Sequence, residues 1–447
     1  MKWANHRLAF FVGSISLVVA ACTAAPGAVE GPDSIDPTAS TVTTVAGGNE
    51  DGNCPESDGT PWESGPEATA SVVTDAGTSG PTVALVRYPR PEYDAKVWSQ
   101  WGQGVVLENG SFVSALGDHE GADGNSFIYE YDPASMTLMQ IVDVLATVPH
   151  EPGDWGFGKI HAQMVVGNCG DVFVATYWGS RRDLAFTDGY QGDILLRLDP
   201  ESRTTTDMGV ILPEHGVASM SISPDGSLIY TEPADPIGQK VGYFLVTDSS
   251  TGDEVFSDAS AAHGGYRNIA VGPDGSAYVT WNGNGLAKYD PATNELIETD
   301  ITMPGELLRA STAPDSSGTV FAVSRDPAIF FSLSPDGSIK ELGPAKGYTA
   351  SMALSPDGSR FYYVPDAHGG SWEQGTPLIA VDTATGESEV VVELNPLVEA
   401  EFGLVAGGTY NVAVSGDGKT VYVGLNAGDP ATRDTFGEVI LAIVTLP

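Results

Sequence analysis

The chain has 447 residues, of which 59 are acidic and 20 basic, for a formal charge of -39. A surface of that sign repels phosphate backbones and anionic headgroups, which argues against nucleic acid as a partner and reads as solubility in a salty or extracytoplasmic medium. With 54 glycines, 30 prolines, 9% aromatic residues and few helix-length amphipathic patterns, the composition is that of an all-β chain of short strands joined by turns.

At the N-terminus, Lys2 and Arg7 precede the apolar run "LAFFVGSISLVVAA", which ends at Cys22. The run is too short and wrongly flanked for a spanning helix. It resembles the bacterial lipoprotein signal, in which small residues before a cysteine mark the cleavage site and the new N-terminal cysteine is acylated. Residues 1–21 are therefore expected to be a signal peptide, and Cys22 the lipidation site. The acyl chains would hold the protein on a membrane, with the rest outside the cytoplasm.

Residues 22–80 are dominated by Thr, Ser, Ala, Gly, Pro and acidic side chains with almost no apolar periodicity, and are expected to form a disordered acidic tether. A flexible coil of that length spans roughly 40 Å root-mean-square. Cys54 and Cys169 are an even pair in an oxidising compartment, where a disulfide is the expectation.

From residue 81 to 447 one hairpin recurs. The copies are "GVVLENGSFVSAL" (104–116), "QMVVGNCGDVFVATY" (163–177), "SMSISPDGSLIYTEP" (219–233), "NIAVGPDGSAYVTWN" (268–282), "RASTAPDSSGTVFAVS" (309–324), "SMALSPDGSRFYYVP" (351–365) and "NVAVSGDGKTVYVGL" (411–425). Each places a turn, usually Pro-Asp-Gly or a close variant, between two alternating runs. Most are followed by a third strand ending in Asp-Pro or Thr-Gly, then a fourth apolar run. Seven copies of a four-strand unit predict a seven-bladed β-propeller. The last copy lacks a fourth strand, and "PTVALVRYP" (81–89) precedes the first, so the two chain ends are expected to share one blade and close the ring.

The hairpins "SISPDG…YTEP", "AVGPDG…YVTW" and "ALSPDG…YYVP" resemble the YVTN-type and lactonase-like seven-bladed propellers, which include streptogramin-lyase relatives. The lactonase-like resemblance implies acidic metal ligands at the inner strand starts. Here Gln, Asn, Ser and Arg occupy those positions, so no calcium site carries over.

Aligned on the turn, one column reads Gln103, Gln163, Ser219, Asn268, Arg309, Ser351 and Asn411, all polar. Two residues on, Val105, Val165, Ser221, Ala270, Ser311, Ala353 and Ala413 are all short. Alternation puts both columns on one strand face, expected to line the central channel, with Arg309 placed to orient a carboxylate or other anion. One step further lie Trp101, His161, Val217, Tyr266, Leu307, Thr349 and Thr409, at the expected channel mouth. The loops at that end carry His119, His215, His263 and His368, with Tyr177, Trp178, Arg181 and Arg182 in "ATYWGSRR". The ligand-binding candidates are thus Gln103, Gln163, Asn268, Arg309, Asn411, Trp101, Tyr266, Trp178, His215, His263 and His368.

Two functions fit. One is a lipid-anchored lipoprotein, expected to be a monomer, whose propeller binds a small molecule, glycan or protein at its histidine-rich face; no catalytic motif is present. The other is a lyase or lactonase-like hydrolase acting on a carboxylate-bearing sugar or lactone at the channel mouth. In that case His161 or His119 would be the base, Tyr177 the proton donor, and Arg181 or Arg309 the partner of a substrate carboxylate. No cofactor is expected; a divalent metal would need His119, His161 and His368 to converge, and no motif supports one.

Overall fold

The computed structural model describes residue 54 and residues 59–74, 80–93, 97–179, 189–235, 241–259, 267–432 and 435–447. The signal peptide and Cys22 lie outside them, as do Arg181, Arg182, His263 and Tyr266.

Seven antiparallel sheets form a seven-bladed propeller. Each begins at its innermost strand: Val105–Val106, Val165–Val166, Gly216–Ile222, Ala270–Val271, Glu306–Ser311, Ala353–Leu354 and Val405–Val414 for blades 1 to 7. The repeated hairpin forms because its turn is chemically specified. The Asp side chain accepts the amide two residues on, as in Asp225 to Ser227 (3.1 Å) and Asp315 to Ser317 (2.8 Å), and the turn glycines sit at φ between 70° and 88°, where a Cβ is disfavoured.

The ring closes as the repeat count implies. Blade 7 takes Thr420–Gly428 and Glu438–Thr445 from the C-terminal end, and its fourth strand, Thr82–Arg87, from the beginning of the propeller. Register runs from Thr445↔Thr82 to Ile440↔Arg87.

The core lies between blades. Seven apolar clusters correspond to the seven blade–blade interfaces; Phe112, Tyr129, Tyr422 and Leu441, for example, join blade 7 to blade 1. This corrects the channel assignment of the short-residue column. Ala413, Val165, Ala270 and Ala353 pack in these clusters, because propeller sheets stack face to face and both faces of an inner strand meet neighbouring blades. Ser221 and Ser311 instead join the hydrogen bonds of the hub.

The expected tether is also corrected from residue 59 onward. Thr60–Pro61 adds a fifth strand to the outer edge of blade 2, Glu67–Thr69 to blade 1, and Ser71–Val72 to Thr82–Arg87 in blade 7. This belt runs backward around three blades before the chain turns into the closing strand. Trp62 pins it, donating from Nε1 to Thr205 Oγ1 at 3.0 Å beneath the Arg203 guanidinium. Beyond its start, Cys54 is bonded to Cys169 in the inner hairpin turn of blade 2, spanning 115 residues of sequence.

Candidate functional site

The site is built around Trp101, and Gln100 fixes that residue in place. Gln100 is fully buried. Its side-chain amide donates to the Ala115 carbonyl (3.0 Å) and accepts from Asn411 Nδ2 (3.0 Å), while Asn426 brackets its backbone through bonds of 2.7 and 2.8 Å. Asn411 Oδ1 then accepts the Gly104 amide at 2.8 Å. Blades 1 and 7 are stapled together directly beneath the indole. Gln100→Ala leaves the Asn411 amide and the Ala115 carbonyl buried without partners. The expected result is a loss of about 2–4 kcal/mol in denaturant unfolding and a weaker near-ultraviolet circular dichroism band from Trp101.

Around the Trp101 ring stand Tyr410 (centroids 4.8 Å apart), Phe436 (5.4 Å, parallel), His119 (5.5 Å), His368 (6.2 Å) and His161 (6.4 Å). Tyr177 lies 5.0 Å from His161 and stacks on Trp178 at 3.7 Å; Tyr348 stacks on His368 at 4.5 Å. Four cations enter this aromatic group. Lys159 Nζ sits 3.6 Å over Trp101, Arg309 lies over Tyr348 (5.0 Å) and Tyr410 (5.8 Å), Arg325 is 5.8 Å from Tyr348, and Arg267 bonds His161.

The loops of blades 1 and 2 reach this point because their backbones can touch. A Cβ on Gly117 would stand 2.1 Å from the Gly158 carbonyl oxygen; on Gly158 or Gly179 it would stand 2.4 or 1.8 Å from that of Glu120. These three glycines let the segments carrying His119, Lys159 and Tyr177–Trp178 lie against one another. The Lys159 carbonyl accepts the Tyr177 amide at 2.8 Å, which ties the second and third. Below Trp178, fully buried Asp193 accepts from the Val217 amide and the Thr176 hydroxyl, both at 3.2 Å.

Burial and the neighbouring cations keep the histidines neutral. His119 and His368 are both lowered to about 4, first by desolvation, then by Lys159 at His119 and by Arg309, Arg267 and Arg325 at His368. His161 is held well below the usual histidine range by burial and by Arg267, Lys159 and Arg309. Its Nδ1–H donates to the Ala218 carbonyl at 3.0 Å, and its Nε2 accepts from the Arg267 guanidinium. Both ring nitrogens are therefore engaged, and Nε2 would have to leave Arg267 before it could take a substrate proton.

The structure brings together Trp101, His119, His161, Tyr177, Trp178, Arg309 and His368 from the expected set. It places His215 elsewhere: its ring meets Tyr243 edge-on, and its nitrogens face the carbonyls of Pro213 (2.8 Å) and Val241 (3.3 Å), so it ties a loop of blade 3. The amide column tightens the hub beneath the mouth. Gln163 spans from Ser221 (3.1 Å) to Asn268 (3.3 Å), Ser311 donates to Asn268 (2.6 Å), and Ser351 donates to Gln103 (2.9 Å). Gln103, Gln163, Asn268 and Asn411 thus hold blades to each other. Among the described residues, no three His, Cys, Asp or Glu side chains form a metal-binding group.

Alternation missed Lys159, Arg267, Tyr348 and Tyr410. The inner strands of blades 1, 2, 4 and 6 are two residues long, so the chain before them is not extended strand and period two does not apply. In blade 7 the pairing register shifts between Thr409 and Asn411, and Tyr410 takes the place alternation gave to Thr409.

Fold and pole together define a seven-bladed propeller with a cationic, aromatic hub mouth. Among solved structures it is similar to virginiamycin B lyase from Staphylococcus aureus, in a catalytically inactive H270A form with quinupristin, with a TM-score of 0.53 and 11% identity over 82% of this chain and 100% of the other. A selenomethionine-substituted form of that lyase gives a TM-score of 0.51 and 12% identity, over 82% of this chain and 100% of the other. A streptogramin B lyase structure also gives 0.51 and 12%, over 81% and 98%. At this identity the likeness is one of fold. No family model and no curated protein matches the chain.

Proposed function

We propose that the protein is an extracytoplasmic, lipid-anchored propeller that binds an anionic small molecule, or an anionic group of a glycan or protein, at the Trp101 pole. The observation that carries the reading is the gathering of Lys159, Arg267, Arg309 and Arg325 at one pole of a chain with net charge -39. Held among aromatic rings, with the three histidines neutral, these cations make a local positive site that attracts a small anion and whose rings can stack on its apolar body. The "VVAAC" cleavage pattern supports the anchor, and the Cys54–Cys169 bond is consistent with an oxidising compartment.

Titration of the folded body with aromatic carboxylates, followed by tryptophan fluorescence, is expected to saturate, to weaken with added salt, and to be about threefold to tenfold weaker in Lys159→Met. Fluorescence unchanged by every anion, or binding indifferent to salt, refutes the reading. The anchor is checked by Cys22→Ala, which should release the protein from the membrane fraction. The lyase or hydrolase alternative has the His161–Tyr177 separation of 5.0 Å in its favour, and weakly basic, engaged imidazoles against it. Mass spectrometry of lactones and carboxylated sugars incubated with the protein separates the two, with unchanged compounds expected.

A further inference from the structure

The reading of the pole as an anion site leaves the bound group unspecified, and Arg309 supplies it. This side chain, 3% exposed, projects from the innermost strand of blade 5. Its Nε donates to the Tyr348 hydroxyl and its Nη1 to the Ala350 carbonyl at 3.3 Å, while Nη2, also buried, has no hydrogen-bond partner. No carboxylate pairs with Arg309 among the described residues, and the charged side chain acting on it from nearby is another cation, Arg267. A guanidinium taken out of water without a counter-charge is strongly disfavoured, and an anion is the species that relieves it.

A second orphan donor belongs to a ring that the Arg309 guanidinium lies over. Tyr410, 2% exposed, has a buried hydroxyl without a partner, and its ring centroid lies 5.8 Å from Arg309 Cζ. The single Nε–H is committed to Tyr348 and one Nη1–H to Ala350, so the side-on clamp through Nε and Nη2 that Arg often forms on a carboxylate is closed here. A bound oxyanion can take a bond from Nη2, and the Tyr410 hydroxyl is a further open donor for its second oxygen. We propose that the floor of the pole is a carboxylate receptor in which Arg309 Nη2 donates to one oxygen and the Tyr410 hydroxyl to the other. Two donors match the two oxygens of a singly charged, planar carboxylate. A phosphate dianion, with more oxygens to satisfy, belongs at the outer cations instead.

The test uses acetate, benzoate, benzamide and inorganic phosphate as probes, with calorimetry and tryptophan fluorescence on the full chain. Acetate and benzoate should bind, and benzamide should bind at least about tenfold more weakly than benzoate. Tyr410→Phe removes one donor without stranding a charge and should weaken acetate and benzoate about 10- to 100-fold while leaving phosphate unchanged. Arg309→Lys, which keeps the charge but loses the directed Nη2 contact, should weaken both carboxylates as well. If Tyr410→Phe binds benzoate like the wild type while Lys159→Met weakens it, the receptor is wrong and the anion site stands. If acetate, benzoate and phosphate all fail to bind at millimolar concentration, both fall.

Discussion

A chain beginning at Pro91, without the strand Thr82–Arg87, is expected to lose cooperative folding and to aggregate. That strand buries Val83, Leu85 and Val86 at 2% exposure or less. Val83 and Leu85 pack in the cluster between blades 6 and 7, and Ala84 and Val86 in the one between blades 7 and 1, so both interfaces of the closing blade depend on it. Burying each Val or Leu contributes about 1.5–3 kcal/mol, or about 5–9 kcal/mol for the three, against a whole-domain stability of about 5–15 kcal/mol. The loss also leaves Glu438–Thr445 as an apolar open edge, with Ile440, Leu441, Ala442 and Val444 fully buried in the closed ring. A chain beginning at Gly80 separates closure from the belt, since it keeps the strand but lacks Cys54 and the three outer strands. It should still fold as a monomer, less stable by up to about 5 kcal/mol, the order expected for a cross-link spanning about a hundred residues. Thermal unfolding and gel filtration of the two chains check this. Cooperative unfolding of the shorter chain within a few degrees of the longer one would mean that the ring closes without its latch.

The parts of this architecture that were legible in the sequence are those with a local chemical cause. The hairpin could be read because a left-handed glycine recurs at all seven inner corners and an Asp-anchored turn at five of them, with Asn109 and Cys169 in its place in blades 1 and 2, and the latch because one blade lacked an apolar run that the other end of the propeller supplied. The belt could not be read so. Its strands are two or three residues long, half-exposed or exposed, and rich in Glu, Thr and Ser, so their pairing rests on the backbone and on the edge they find. The same division runs through the site. Trp101, His161 and Tyr177 were found from their places beside the hairpins; Tyr410 was hidden by a bulge, and Lys159, Arg267 and Tyr348 by short stretches of irregular chain. Arg309 was legible as the one charge in a polar column, but that no carboxylate pairs with it among the described residues is a fact of three dimensions.

Substituting Asp193→Asn is expected to stabilise the protein at pH 8 and to change how its stability varies between about pH 4 and pH 7. Burial raises the Asp193 carboxyl to about 7, outweighing the bonds it accepts from the Val217 amide and the Thr176 hydroxyl. In the unfolded chain the group titrates near 3.8, so between 3.8 and 7 the folded state holds a proton that the unfolded state has released. Stability therefore falls as pH rises through that window, by about 4 kcal/mol for a shift of roughly three units, and stays low above it. Asp118, raised to about 6 by burial, acts in the same direction. His119 and His368, lowered to about 4, and His161, held well below the usual histidine range, act in the opposite one: the unfolded state binds their protons below about 6.5, so their contribution is lost as pH falls through that range. In the wild type the two raised carboxyls should thus offset part, but not all, of the stability the three histidines lose between pH 6.5 and 4.5. The Asn variant, lacking the Asp193 contribution, should lose more stability on acidification than the wild type does. Urea unfolding at pH 5 and pH 8 reads both arms. A variant less stable than the wild type at pH 8 would show that the accepted bonds outweigh the burial of the charge. The measurement also bears on the pole, because Asp193 holds the Val217 amide one residue before Ala218, whose carbonyl fixes His161. Ionisation near pH 7 would load that strand start with a buried charge, and anion affinity at the Trp101 pole should shift with the same apparent pKa in the wild type and not in the Asn variant.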